Sequence, residues 1–177
     1  MLCFYDEKRF RKVSSYEEWL EPYLVVENTL ELSDAEIPRL KDGIISVQLC
    51  FSTNPFMYGY DEVCEMSMNA IRKLNEHGIK CTVLIKRLLP IELAERSLEN
   101  EYGITLISLT ETFRKRMEPH AAPYKEQLAA LRILHDQVAE HRSALSLIRP
   151  PISCARNLDK LLVAVSFVDR IIFGRTN

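Results

Sequence analysis

The sequence predicts an α/β fold built from parallel β/α units. Three observations carry this. Five short β-rich runs alternate with helical stretches along the 177 residues. No Asn-Gly or Asp-Gly dipeptide joins two of those runs, so no hairpin is encoded. Strands linked through helices need crossover connections, and crossovers make them parallel. The sheet is either open and doubly wound or part of a barrel. The absence of GxGxxG and of a P-loop weakens the nucleotide-binding open-sheet form. No linker divides the chain, so residues 1–177 are expected to form one domain.

Each element has a local reason. The first forty residues are expected to be helical. Ser15 with Glu17 and Glu18 forms a capping box, Pro22 closes that short helix, and a loose apolar stripe runs over residues 26–40. Asp42-Gly43 is a stop signal. Residues 44–51 are a nearly continuous apolar run, the pattern of a strand covered on both faces. Residues 61–77 place Val63, Ala70, Ile71 and Leu74 on one helix face, and Gly78 suits the helix end. The run KCTVLI, residues 80–85, is the second strand, followed by a short helix after Pro90. Residues 103–108 are the third strand, and 110–117 make a helical turn or two. A long helix over 124–140 turns Leu128, Leu131, Leu134 and Val138 inward. Residues 144–148 are a weaker fourth strand. Asn157 can cap a helix carrying Leu158, Leu161, Leu162 and Val165, and 168–173 are a fifth strand.

Bulk properties narrow the function classes. With 47% hydrophobic residues, 27% charged residues and a formal net charge of -2, the chain is not a nucleic-acid-binding polycation. The basic clusters Lys8-Arg9-Phe10-Arg11-Lys12 and Arg114-Lys115-Arg116 read as solvated charged faces. No run approaches the ~20 apolar residues of a membrane span, and MLCFYDEKRF lacks a signal-peptide core, so a cytoplasmic protein is expected. Cys3, Cys50, Cys64, Cys81 and Cys154 form no CxxC and no disulfide framework. Cys50, Cys64 and Cys81 are expected to pack as small hydrophobes. The four histidines lack metal spacing and read as surface residues.

In parallel β/α folds, functional groups gather where the strands end. Ser52, Thr53 and Asn54 follow the first strand, Lys86 the second, Ser108 closes the third, and Arg149 follows the fourth. This ring of hydroxyls, an amide and two cations suits an anionic or zwitterionic small molecule. The structural alternative is that these residues cap helices and end strands; Lys86, after a buried strand, has no such task. Glu118 lies in a loop from which a carboxylate could face the site, though a solvated glutamate is the expectation.

The segments KRFRKVSSYEEW, VENTLEL, FSTNPFMYGYDEV, IRKLNEHGIKCTVLIKRLLP, ENEYGITLISL and VSFVDRIIFGR resemble those of radical S-adenosylmethionine proteins of the spore photoproduct lyase-like, DNA repair photolyase type. The resemblance covers nearly the whole chain, is specific over residues 44–120 and weakens after His135. It implies an incomplete, partial TIM-type barrel. It also implies a loop of three cysteines spaced C-x3-C-x2-C that holds a [4Fe–4S] cluster. The cluster binds the methionine part of S-adenosylmethionine and cleaves it to a radical, as in a DNA lesion lyase. By position, the resemblance implies that Ser52 and Asn54 contact the cofactor's amino and carboxylate groups, with Asn54 replacing a commonly acidic residue. Lys86 then pairs with the carboxylate, and Ser108 supplies a hydroxyl.

Departures from that family set the functional expectation. Its first strand and cysteine loop are absent from the sequence, and Cys3 alone stands as a remnant ligand. Its TKG reads Ile85-Lys86-Arg87, its acid-proline pair is replaced by Ser146-Leu147-Ile148-Arg149-Pro150-Pro151, and a glycine expected after Leu134 is missing. The chain is therefore expected to be a truncated or degenerate member of the family, without radical chemistry by itself. The alternatives are a cluster-free module binding S-adenosylmethionine or a nucleotide, and one subunit of a split enzyme. Loss of the first strand would leave residues 44–51 as an apolar edge, which invites an oligomer or a partner chain.

Overall fold

A computed structural model describes residues 15, 17–18, 29–49, 54–56, 59–97, 99–106, 110–118, 121–137, 142–148 and 158–174. At its start, the Ser15 hydroxyl accepts a hydrogen bond from the Glu18 amide at 3.1 Å, half of the expected capping box. Helix α1 (Thr29–Leu40) buries Ile37 and gives way to a 3-10 turn, Lys41–Gly43. Pro38 withdraws one amide donor near the end of α1.

The β/α units then follow in order: strand β1 (Ser46–Leu49), helix α2 (Asp61–Glu76), strand β2 (Lys80–Ile85), a 3-10 turn (Ile91–Glu95), strand β3 (Glu101–Leu106), helices α3 (Glu111–Met117) and α4 (Tyr124–Gln137), strand β4 (Arg142–Ile148), helix α5 (Leu158–Ala164) and strand β5 (Arg170–Gly174). All neighbouring strands are parallel, in the order β1-β2-β3-β4-β5. The α/β class and the parallel pairing inferred from the missing hairpins are therefore both present. One register row runs Leu49, Val83, Tyr102, Ser143, and another runs Ile85, Ile104, Leu145, Ile171.

The core lies on one face of the sheet. Cys81, Val83 and Ile85 of β2 and Tyr102, Ile104 and Leu106 of β3 are all buried. Ile71 and Leu74 of α2, Leu93 of the 91–95 turn, and Tyr124, Leu131 and Leu134 of α4 join the same cluster. The alternate residues Thr82, Leu84 and Thr105 are only half-buried. Period-two alternation thus separates a covered face from a more open one.

Helix α2 stops where Gly78 predicts. Gly78 has φ +73°, its amide donates to Asn75 O at 2.9 Å, and the Ile79 amide donates to Leu74 O at 3.0 Å. This is a Schellman closure with buried Leu74 and Ile79 in its apolar contact positions.

Two local expectations are corrected. The first strand was expected to be covered on both faces; instead Ser46 and Gln48 are exposed, and Ile45 just before them is 84% exposed. Alternation sends these polar residues outward, and β1 is an edge strand whose only partner among the described residues is β2. The stretch after Pro90 closes as a 3-10 turn rather than an α-helix. Its five residues bury Leu93 completely before Arg96 returns to extended backbone.

Candidate functional site

The C-terminal edge of β2 ends in Lys86, whose ammonium lies 2.6 Å from Oε1 of Glu118. The two side chains differ in exposure: Lys86 is 44% exposed and Glu118 only 8%. The pair is an ion pair by distance, but it lacks hydrogen-bond alignment, and neither Glu118 oxygen accepts a hydrogen bond among the described residues. A buried carboxylate with unfilled acceptor positions carries a desolvation penalty, which a cationic donor relieves.

The chain holds Glu118 there through α3. Thr110, extended at φ -93° and ψ 114°, precedes the helix, and Glu111 opens it. Glu111 Oε2 accepts from Arg114 Nε at 2.6 Å, and Oε1 accepts from the Tyr124 amide at 2.9 Å. Arg114 Nη1 also donates to Ala121 O. The Glu118 amide donates to Arg114 O at 2.6 Å, and the Ala121 amide donates to Glu118 O at 3.0 Å. Gln127, almost fully buried, donates to Ala122 O at 2.6 Å. Residues 121, 122 and 124 are thus tied to α3 and to Gln127, and the Glu118 backbone is held by α3. The Arg114 guanidinium draws the Glu111 carboxyl below its ordinary range, chiefly through the hydrogen bond between them. Arg114 is therefore no part of a solvated face: its side chain is 8% exposed, while Lys115 and Arg116 are exposed as expected.

Of the residues singled out from the sequence, Asn54 and Lys86 are described; Ser52, Thr53, Ser108, Arg149 and Cys3 lie outside the described residues. Asn54 Oδ1 accepts from the Phe56 amide at 3.0 Å, an Asx turn that seats Phe56 in the core. The Ser67 hydroxyl holds the same turn by donating to Pro55 O at 2.8 Å. The amide oxygen of Asn54 thus braces its own turn and does not cap α2, whose N-cap is Tyr60. The structure also brings Glu118 onto Lys86, where solvation was expected. Nothing local to the sequence signals this, because the two residues are far apart along the chain.

Cysteine placement tests the fit of an iron–sulfur cluster. Cys81 is buried on β2 within the core, and burial pushes its thiol up to about 12. Cys64 sits half-buried on α2 against the same core. Among the described residues no three His, Cys, Asp or Glu side chains gather to hold a metal. The sequence contains no C-x3-C-x2-C, so the described residues offer no donor set for a [4Fe–4S] group. Of the histidines two are described: His77 Nδ1 lies 2.9 Å from Lys73 O at the end of α2, and His135 packs edge-on against Phe167. No helix among the described residues is long and apolar enough to cross a membrane.

No protein-family profile, curated protein or solved structure matches this chain.

Proposed function

We propose that this chain is a degenerate radical S-adenosylmethionine protein in which the cofactor-binding edge of the barrel persists as a cluster-free binding module. The strand order supports the barrel form. Parallel crossovers are right-handed in about 98% of cases, so an order that never reverses puts every connection on the same face of the sheet. A doubly wound sheet needs a reversal point, and β1 to β5 contain none. The one-sided core agrees with such a curl. The single observation that carries the reading is the half-exposed Lys86 ammonium beside the buried Glu118 carboxylate at the C-terminal strand edge.

Lys86 would hold the carboxylate of S-adenosylmethionine, and the turn built on Asn54 would flank it. The bound group would supply a sulfonium, whose cleavage to a radical needs an electron donor that these residues do not provide. The chain's own contribution is binding and orientation. Calorimetry on the full chain tests this. Wild type should bind S-adenosylmethionine, and Lys86→Ala should weaken binding about tenfold, as expected for one lost charge-assisted contact. A wild-type chain that gives no heat removes the reading.

A second reading, one subunit of a split enzyme, is favoured by β1. Its outer edge has no described partner, and Ile45 beside it is exposed. A partner adding a strand there would extend the sheet.

A further inference from the structure

Both ends of the sheet stand open among the described residues. The order β1-β2-β3-β4-β5 leaves β1 paired with β2 alone and β5 with β4 alone. Each outer edge presents backbone N–H and C=O groups that another strand can pair. Neither edge strand carries a free charge to repel one. Ser46–Leu49 holds no charged residue, and the single one in Arg170–Gly174, Arg170, is paired with Glu101.

The helical layer is open at the same two places. Helix α1 lies outside α2, tied to it by the Asp34–Lys73 ion pair, and leads through the Lys41–Gly43 turn into β1. At the other end, Phe167 just past α5 meets Arg132 and His135 of α4, so α5 is neighboured on one flank only. Leu161 and Val165 are buried, whereas Leu162 and Val163 are exposed, as are Leu40 and Ile45 at the β1 end. Arrays of repeated units bury such residues by stacking a further unit. Here α1-β1, α2-β2, α4-β4 and α5-β5 each add a helix and then its strand, so the α1-β1 unit of a second copy set beside α5-β5 continues the same step.

Charge favours this over a symmetric contact. Helix α1 exposes Glu31, Asp34 and Glu36 against Arg39 alone. Pairing two β1 edges would set two such acidic helices side by side, and like charges in an interface are costly. Helix α5 is balanced, with Asp159 next to Lys160. We propose that the chain self-associates head to tail: β5 and α5 of one copy receive β1 and α1 of a second copy. The contact is heterologous, so it repeats until it closes as a ring or runs on. It uses neither Lys86 nor Glu118.

Light-scattering chromatography on the full chain tests this with Ile45→Lys at the β1 end and Leu162→Glu at the α5 end. Wild type should elute with the mass of two chains or more. Each variant alone should fall to the mass of one chain, since every contact needs one end of each kind. An equimolar mixture should return to the mass of two chains and stop there, because each variant keeps the end that the other has lost. Melting curves show whether the variants fold, and Leu40→Lys with Val163→Glu repeats the comparison at the same ends if either melts below wild type. A monomeric wild type overturns the proposal. So does a Leu162→Glu chain that still pairs, which assigns the contact to two β1 edges. A mixture of folded variants that stays at the mass of one chain overturns it as well.

Discussion

Asn75 and Asn100 exchange side-chain amide hydrogen bonds, 3.0 Å in one direction and 2.9 Å in the other, joining α2 to the entrance of β3. Asn100 is fully buried, and its Oδ1 also accepts from the Cys81 amide at 2.8 Å. That amide lies just before the first pair between β2 and β3, Thr82 with Glu101. The asparagine therefore stands in for a strand partner that β3 does not reach. Its Nδ2 further donates to the Tyr102 hydroxyl at 2.8 Å. Asn75 in turn donates to Ile79 O at 3.0 Å.

Asn100→Ala should therefore be costly, because it leaves several buried groups unpaired at once. The expected loss is about 2–3 kcal/mol, a fall in Tm of about 5–10 °C for a chain of this size. Asn75→Ala should cost less, and the double variant less than the sum, since the two share bonds. Melting curves of the three variants check this; additive losses would contradict the shared network.

Glu111 sets an acid limit on the loop that carries Glu118. Its folded carboxyl lies below the ordinary value of 4.5, chiefly through the hydrogen bond from Arg114. A lowered carboxyl contributes stability above the unfolded value, and that contribution is lost as pH falls from there through the folded one. Glu111 is 41% exposed, so solvent screens part of the effect and about 1 kcal/mol is expected at pH 7. Glu111→Gln should be less stable than wild type at pH 7, and the gap should close at an acid pH below the lowered folded value. Denaturant titrations at the two pH values give the comparison, and a constant gap between the curves would contradict it.

Cys81 should resist alkylation in the native chain. Burial holds it as a neutral thiol, pushed up to about 12, and only the thiolate is reactive. Iodoacetamide at pH 8 followed by peptide mapping should leave Cys81 unmodified until denaturant is added. Equal labelling in native and denatured samples would place the thiol outside the core.

The β1 edge predicts self-association. Ser46–Leu49 carries no charge, and Ile45 before it is exposed, so nothing among the described residues protects that side. Wild type should elute larger than a monomer in light-scattering chromatography, and Ile45→Lys should shift it toward the monomer. A monomeric wild type at high concentration would count against the edge as an interface.

Much of this architecture is local information. The period of KCTVLI places β2 at Lys80–Ile85, Gly78 closes α2 through its positive φ, and Ser15 caps the first helical residues. Missing hairpin signals alone make the sheet parallel. Such features need only a few neighbouring residues, so propensity and periodicity reveal them. Tertiary structure decided the rest: that Glu118 is shut away beneath Lys86, that Arg114 is buried among its carbonyl and carboxylate partners, that Asn75 meets Asn100, and that β1 exposes one face. Each depends on how crossovers fold distant segments together. The same glutamate, lysine or asparagine would be equally plausible in water, and only its packed neighbours determine whether its charge or amide is desolvated.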